Sequence, residues 1–132
     1  MNPVVLTITD RTGTGKIIGE VNISLKTNRV TVKEIIEARV VAEVESYNAK
    51  LPEYFKGLVQ PTDAEKTLNG YKMKTRKKVD PEKQVYVALD AFQKNGYFVL
   101  VDNFQADSLE QEIMITPQTQ ISFLKLTPLV GG

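Results

Sequence analysis

The most informative stretch of the chain reads Ile121-Ser122-Phe123-Leu124-Lys125-Leu126-Thr127-Pro128-Leu129-Val130-Gly131-Gly132. From Ile121 to Leu126, both alternating faces are apolar except at Ser122 and Lys125. That pattern is typical of a strand with neighbours on both sides and little solvent on either face. Pro128 has no N–H to donate, so it ends the strand pairing. The sequence therefore predicts a central last strand over 121–126 and a short tail over 127–132.

Length and composition indicate one globular domain spanning 1–132. Of the 132 residues, 42% are hydrophobic and 25% are charged, which suits a single core but not two. The 17 basic and 16 acidic residues nearly cancel, so no net field attracts nucleic acid or an anionic membrane. No apolar run approaches the roughly 20 residues of a membrane span, and no leader-like segment begins the chain. We therefore expect a cytoplasmic protein with neither nucleic-acid nor membrane partners.

The chain contains neither cysteine nor histidine. Disulfides, thiolate metal sites and a cysteine nucleophile are thereby excluded, and the most common general base is missing as well. The candidate acids Asp63, Glu65, Asp80 and Glu82 lie where loops or helix caps already explain them. We expect no catalytic residue, no metal site and no enzymatic activity from this chain by itself.

A β-hairpin and then a long helix are predicted for the first 50 residues. Apolar residues alternate over 4–9 and 17–25. The connection over 10–15 precedes Lys16, but it is not a phosphate-binding loop. Asp10 stands where that motif needs glycine, and Ile17 stands where it needs serine or threonine. The helix begins at a capping box of Thr31 and Glu34 and ends near Lys50, before a proline.

The middle of the chain is predicted to be an elaborated connection that contains a second helix. Residues 51–83 have no clear periodicity, although 61–68 has room for a helical turn. The run 72–78 is dense in Lys and Arg, and a solvated loop is favoured over a nucleic-acid contact because no flanking aromatic side chains supply stacking. Asp80-Pro81 is a helix start, and the helix is expected to end at Asn95-Gly96.

A strand over 97–101, a turn at Asp102-Asn103 and a short segment over 113–116 complete the order of elements before the last strand. This order resembles the β-grasp fold of ubiquitin-like proteins, most closely at Val99-Leu100-Val101-Asp102-Asn103 and over 121–132. The resemblance implies an α+β fold with a mixed sheet, a long helix across it and a last strand parallel to the first. Residues 51–95 then form an inserted loop and helix region.

Within that superfamily, the layout most resembles the bacterial ubiquitin-like modifiers that are encoded with an activating enzyme, a conjugating-enzyme homologue and a JAMM-type protease. The resemblance implies that the activating enzyme binds ATP and Mg²⁺ and adenylates the Gly132 carboxylate, so that this chain itself binds no cofactor. The carboxyl group then passes to a cysteine of that enzyme and finally to an amine of a target protein. Gly131 and Gly132 have no Cβ and fit a narrow channel, while Pro128, Leu129 and Val130 form a partner-binding tail.

Several alternatives stay open at this point. Leu124 and Leu126 share one strand face and form either a patch for a partner or part of the core. The proline in the tail is similar to the terminus of the molybdopterin synthase small subunit, which would make the chain a sulfur carrier with a C-terminal thiocarboxylate. A third possibility is a β-grasp interaction module that is never conjugated. The target, the oligomeric state, the pathway and any processing behind Gly132 are not determined by the sequence.

Overall fold

A computed structural model of the protein describes residues 4–126. In chain order its elements are β1 (Val4–Thr12), β2 (Ile17–Leu25), β3 (Arg29–Thr31), α1 (Val32–Lys50), β4 (Tyr54–Phe55), β5 (Ala64–Thr67), β6 (Gly70–Met73), α2 (Pro81–Gln93), β7 (Tyr97–Val101), β8 (Phe104–Gln105), β9 (Glu112–Met114) and β10 (Ile121–Lys125). The fold of the described residues is therefore α+β.

The main sheet has five strands in the order β2-β1-β10-β7-β8. β10 pairs with β1 in parallel and with β7 antiparallel, and its ladder begins with Ile121 opposite Ile8 on β1 and Val101 on β7. The predicted central position of the last strand is thus confirmed. A mixed sheet of this order, with two helices in the described residues, is compatible with the β-grasp arrangement that the sequence suggested.

The first hairpin is longer than the sequence pattern predicted. β1 continues through Asp10, Arg11 and Thr12, which were assigned to the connection, because this end of β1 pairs with both β2 and β10. The register of β1 against β2 shifts between Asp10 and Arg11. The turn itself is short: the Gly15 N–H donates to the Thr12 carbonyl at 2.9 Å, and Gly15 has a φ of +91°, which glycine adopts without strain.

The helix α1 begins at the predicted capping box. The Glu34 N–H donates to Thr31 Oγ1 at 3.2 Å, and the Thr31 N–H donates to Glu34 Oε1 at 3.1 Å. Such a cap contributes about 1 kcal/mol, but burial contributes more, at about 1.5–3 kcal/mol for each large aliphatic side chain removed from water. The helix buries Ile35, Ile36 and Val44 completely against the core. Its last turn closes on Leu51, whose N–H donates to the Tyr47 carbonyl at 2.7 Å.

The region after α1 contains a second sheet that the sequence did not reveal. β4, β6 and β5 form three short antiparallel strands, and the helical turn considered over 61–68 is wrong because Ala64–Thr67 pairs with Gly70–Met73 instead. Phe55 is 1% exposed and meets Tyr47 of α1 edge to face, with ring centroids 5.4 Å apart. These two aromatic rings join the small sheet to the main core.

The remaining elements complete one continuous core. β3 pairs with β9, and α2 packs beside α1 after its predicted start, where Asp80 caps the helix by accepting from the Glu82 N–H at 2.9 Å. In the charged run 72–78 every residue is exposed except Met73, which β6 places in the core, so the predicted solvated character is confirmed there. Over residues 4–126, no helix has both the length and the apolar character needed to cross a membrane.

Candidate functional site

The residues proposed from the sequence as the reactive site fall at the end of the chain. Gly131 and Gly132, together with the predicted partner-binding residues Pro128, Leu129 and Val130, lie outside the described residues. Leu124 and Leu126 are described, and they lie at the end of β10 where the tail begins. Among the described residues, the candidate site therefore consists of the C-terminal end of β10 and the residues around it.

The outer face of β10, which points away from α1, carries Ser122 and Leu124, and Leu126 follows directly after the strand. Side chains alternate along a strand, and Ile121 and Phe123 occupy the opposite, inner face, where they are 1% and 0% exposed. Leu126 is 47% exposed, and Leu124 is half-buried. Neither leucine belongs to the main core.

The neighbours of these leucines extend the apolar surface across β7. Leu124 is paired with Phe98, and Ser122 is paired with Leu100, both of which alternate outward and are half-buried. We call Phe98, Leu100, Leu124 and Leu126 the outer apolar patch. Between them, Ser122 is tied to β1 by a hydrogen bond of 2.8 Å between its hydroxyl and that of Thr9. The patch thus surrounds the end of the strand that leads into the tail.

Beneath the outer apolar patch, on the inner face, lies a buried ion cluster that we define as Asp10, Arg39, Glu43 and Lys125. The Arg39 guanidinium donates two parallel hydrogen bonds to the Asp10 carboxylate, one of them 2.7 Å from Nη2 to Oδ2. Arg39 Nε donates to Glu43 Oε2 at 3.2 Å, and Lys125 Nζ lies 3.6 Å from Asp10 Oδ2. Arg39 is only 1% exposed, so its charge is compensated by these partners rather than by water.

Aromatic side chains close the inner face around this cluster. The Arg39 guanidinium carbon lies 4.8 Å from the centre of the Phe123 ring, a distance at which cation–π attraction operates. Phe123 in turn stacks on Tyr97 of β7 at 5.7 Å. The Tyr97 hydroxyl donates to the Ala88 carbonyl of α2 at 2.6 Å. Through these contacts, α1, α2 and β7 all hold the inner face of β10.

Burial shifts the pKa values of the cluster in predictable directions. Burial raises the pKa of the Glu43 carboxyl, and the nearby Arg39 charge opposes that rise only in part. Burial lowers the pKa of the Lys125 ammonium, against the attraction of Asp10. For Arg39, burial alone would lower the pKa, but the hydrogen bond to Asp10 and the charges of Glu43 and Asp10 raise it overall. The guanidinium is therefore a permanent cation at the centre of the cluster.

The buried ion cluster specifies where β10 sits. Replacing a buried ion pair with apolar residues is often harmless, whereas removing one partner leaves a buried charge alone at a cost of about 3–5 kcal/mol. A slip of β10 by one residue would turn Lys125 to the outer face and a leucine onto the charges. The register of the last strand, and hence the position of its last residue Lys125, is fixed by electrostatics as well as by packing.

Sequence reasoning missed three members of the buried ion cluster. Asp10 was assigned to a connection, and the helical pattern does not separate Arg39 and Glu43 from the exposed charges of α1, but the structure buries the Arg39–Glu43 pair. Two signals were present: Arg39 and Glu43 are four residues apart, and Lys125 interrupts an otherwise apolar strand. Asp10, the partner of Arg39 and Lys125, is 29 residues from Arg39, and no local pattern connects these two residues.

Among residues 4–126, no group of three or more Asp or Glu side chains is arranged to hold a metal ion. Comparisons with protein-family models, with curated proteins and with solved structures give no match for this chain. The resemblance to ubiquitin-like modifiers thus depends on the residues quoted for it and stays a prediction.

Proposed function

We propose that this protein is a ubiquitin-like modifier of the β-grasp type, activated at the carboxyl group of Gly132 and joined to amines of target proteins. The observation that carries the proposal is the position of β10. It lies at the centre of a mixed sheet, parallel to β1, and its last residues continue directly into Thr127-Pro128-Leu129-Val130-Gly131-Gly132. A rigid strand followed by a narrow diglycine sequence suits a protein that presents its carboxyl group to another enzyme.

The chemistry needs no catalytic side chain on the modifier. The Gly132 carboxylate attacks the α-phosphorus of ATP bound with Mg²⁺ in the activating enzyme, and pyrophosphate leaves. A cysteine thiolate of that enzyme then displaces AMP to form a thioester, and a target amine finally displaces the thiolate to form an amide bond. A chain without Cys and His is compatible with this sequence of steps, because this chain supplies only its terminal carboxylate and the partners supply the thiolate, the amine and any base.

The described residues have two tasks in this proposal. The outer apolar patch lies beside the start of the tail, where an activating or conjugating enzyme that grips the tail would also meet the sheet. The buried ion cluster fixes the register of β10 and so the position of the strand's last residues, which precede the tail in the sequence. Gly132 carries the reactive carboxyl group either as the end of the chain or after cleavage behind it by a JAMM-type protease.

A sulfur carrier is the second candidate, and Pro128 is the observation that favours it. The first step, adenylation of Gly132, is the same, but a sulfur donor replaces AMP and a thiocarboxylate results. The two functions differ in the fate of the carboxyl group, so they are distinguished by mass rather than by structure.

The test is to recover N-terminally tagged protein from its own host and examine it by intact mass and by denaturing gel. A Gly132→Ala variant is compared with Gly13→Ala, a matched change at an exposed turn where an added Cβ meets nothing within 4 Å. We expect covalent ladders from the wild type and from Gly13→Ala but not from Gly132→Ala.

A mass increase equal to the exchange of one oxygen for sulfur, without ladders, would identify a carrier instead. If neither form is found and a variant without Gly131 and Gly132 still supports the cells, the activated tail is refuted and an interaction module remains.

A further inference from the structure

More than half of the basic residues of the protein lie between the end of α1 and the first turn of α2. Residues 50–83 hold nine Lys or Arg and five Asp or Glu, a net charge of +4, whereas the rest of the chain holds eight basic and eleven acidic residues, a net charge of −3. The expectation that no polyanion binds was drawn from the sum of these two charges. Because salt screens charges beyond about 8–10 Å, a partner that meets residues 50–83 responds to their local charge and not to the sum.

The positive charge is densest in the segment Lys74-Thr75-Arg76-Lys77-Lys78, which we call the basic loop. All five of its residues are exposed, and none of its four cations forms an ion pair with a described residue. Lys72, just before the loop, differs in this respect, since its ammonium group lies 3.8 Å from the Glu53 carboxylate. The four cations of the basic loop repel one another, and an anionic partner would relieve that repulsion.

The basic loop is anchored at both ends by hydrogen bonds. Before it, the Met73 N–H donates to the Glu53 carbonyl, and the Lys74 N–H donates to the Asp63 carbonyl, both at 2.9 Å. After it, the side chain of Asn48 on α1 holds the backbone of Val79, accepting from its N–H at 2.8 Å and donating to its carbonyl at 3.0 Å. The cations thus start from a fixed base, which reduces the conformational entropy lost on binding.

A hollow of about 210 Å³ lies between the basic loop and the start of α2. Its lining includes three lysines and two threonines, namely Lys77, Lys78, Lys83, Thr62 and Thr75. Two carboxylates, Asp63 and Asp80, also line it, but Asp80 already caps α2 by accepting from the N–H groups of Glu82 and Lys83. The hollow therefore brings together three ammonium groups and two hydroxyls, a donor set suited to a phosphate group.

The composition of the basic loop indicates which polyanion suits it. Lysine is a compact point charge that contacts phosphate oxygens without strict geometry, and threonine hydroxyls donate to the same oxygens. The basic loop has no apolar side chain that could enter a lipid bilayer. It has no aromatic side chain to stack an unpaired base either, which disfavours single strands but not a duplex, whose bases already stack on one another.

From these observations we propose that the basic loop, together with Lys83, binds the phosphate backbone of a double-stranded nucleic acid without reading its bases. DNA and RNA duplexes share this backbone chemistry. One phosphate occupies the hollow beside Lys77, Lys78 and Lys83, and the other cations of the loop contact its neighbours along the strand. The inference does not depend on the activation of Gly132, because it concerns a different surface of the domain.

The probe is a fluorescein-labelled DNA duplex of about 20 base pairs, titrated with the unmodified full-length protein in fluorescence anisotropy at several salt concentrations. We expect a dissociation constant of about 10⁻⁵ M at about 50 mM salt. Five phosphate contacts predict that the logarithm of the binding constant falls against the logarithm of the salt concentration with a slope of about −4.5. An RNA duplex of the same length is titrated in parallel, and the tighter of the two identifies the source of the backbone.

Two fourfold variants test whether the basic loop is the site. The variant Lys74→Gln, Arg76→Gln, Lys77→Gln and Lys78→Gln combined should weaken binding by about 30-fold or more at about 50 mM salt and reduce the slope to about −1. The matched control combines Lys16→Gln, Lys26→Gln, Lys33→Gln and Lys94→Gln, which removes four exposed lysines outside residues 50–83. It changes the net charge equally and should weaken binding by no more than about threefold.

A second pair of variants tests the hollow. Lys83→Gln should reduce the slope by about 0.9, the value of one phosphate contact. Lys66→Gln removes an exposed lysine that lies within residues 50–83 but does not line the hollow, and it should leave the slope unchanged. In amide NMR spectra of the wild type, we expect the duplex to shift residues 62–63 and 74–84 and to leave the outer apolar patch unchanged.

Five results would overturn the proposal. The first is the absence of saturable binding to either duplex at about 50 mM salt. The second is an equal loss of binding by the two fourfold variants, which would mean that net charge and not the basic loop matters. The third is a preference of more than about tenfold between two duplexes of unrelated sequence, which would mean that bases are read. If a glutamate-rich peptide of equal charge binds as tightly and shifts the same amides, the partner is an acidic protein segment. If vesicles containing phosphatidylserine bind and the duplexes do not, the partner is a lipid surface.

Discussion

The two faces of β10 differ in how much of their surface other elements of the fold cover. The inner face carries Ile121, Phe123 and Lys125, all held by α1, α2 and their neighbours, and its one charged side chain is paired with Asp10 inside the fold. The outer face carries leucines that are half-buried or exposed and that no described helix covers. One face thus determines where the strand lies, and the other is free to be recognised.

The largest effect is expected when the inner face loses its central cation. Arg39→Ala leaves the buried carboxylate of Glu43 without its partner and that of Asp10 with Lys125 alone, so we expect the free energy of unfolding to fall by about 3–5 kcal/mol in urea denaturation. The control is Lys33→Ala, which removes an exposed pair with Glu37 on the same helix and should cost at most about 0.5 kcal/mol. A similar small loss for both variants would show that the buried ion cluster contributes no more to the free energy of unfolding than an exposed ion pair.

The raised pKa of Glu43 should make the stability of the protein depend on pH. Its pKa in the folded protein is raised above the ordinary value of 4.5, so its contribution to stability is fully present below about that pH and is lost as the pH rises through the folded pKa. The free-energy difference between wild type and Glu43→Gln should therefore become less favourable to the wild type as pH increases from about 4 to about 8. Urea denaturation at several pH values measures it, and a flat or opposite trend would mean that Arg39 outweighs burial.

Two buried tyrosines differ in whether the hydroxyl forms a hydrogen bond within the described residues. The Tyr97 hydroxyl donates to the Ala88 carbonyl, so Tyr97→Phe should cost about 1 kcal/mol. The Tyr47 hydroxyl is buried without a hydrogen-bond partner among the described residues, so Tyr47→Phe should be neutral or slightly stabilising. Chemical denaturation of the pair provides the comparison. A loss from Tyr47→Phe as large as that from Tyr97→Phe would show that the Tyr47 hydroxyl also has a hydrogen-bond partner.

A small change in stability is also expected on the outer face. Leu126→Asp alters a side chain that is 47% exposed and should shift the free energy of unfolding by no more than about 0.5 kcal/mol. If a partner docks on the outer apolar patch, the same variant should reduce conjugate formation in the host by about tenfold. Leu68→Asp is the matched control, since Leu68 is 87% exposed and lies in the small sheet region. Equal conjugation by the two variants would remove the patch from the proposed function.

Sequence reasoning identified the elements whose signals are local. The position of β10 was evident from its apolar run, and the start of α1 from Thr31 and Glu34, three residues apart. The sheet of β4, β5 and β6 was missed because strands of two to four residues are too short to show an alternation. The buried ion cluster was missed because its charges resemble a solvated helix face until Asp10 is brought beside them by the fold.

The candidate site was predictable only in part for a related reason. Leu124 and Leu126 were recognised as sharing a face, but an apolar pattern does not reveal which face a helix covers. That question is decided by α1, which packs where Arg39 can reach Asp10.

The parallel pairing of β1 with β10 also has a mechanical consequence. Their paired residues run from Ile8 opposite Ile121 to Thr12 opposite Lys125. A force applied between the start of β1 and the end of β10 acts along both strands. The hydrogen bonds between the two strands are therefore loaded together in shear and are not broken one after another. Unfolding under tension is governed by the height of the barrier, which such shared loading raises. Under a pulling force on its C-terminal end, the domain is expected to stay folded until the hydrogen bonds between β1 and β10 break together.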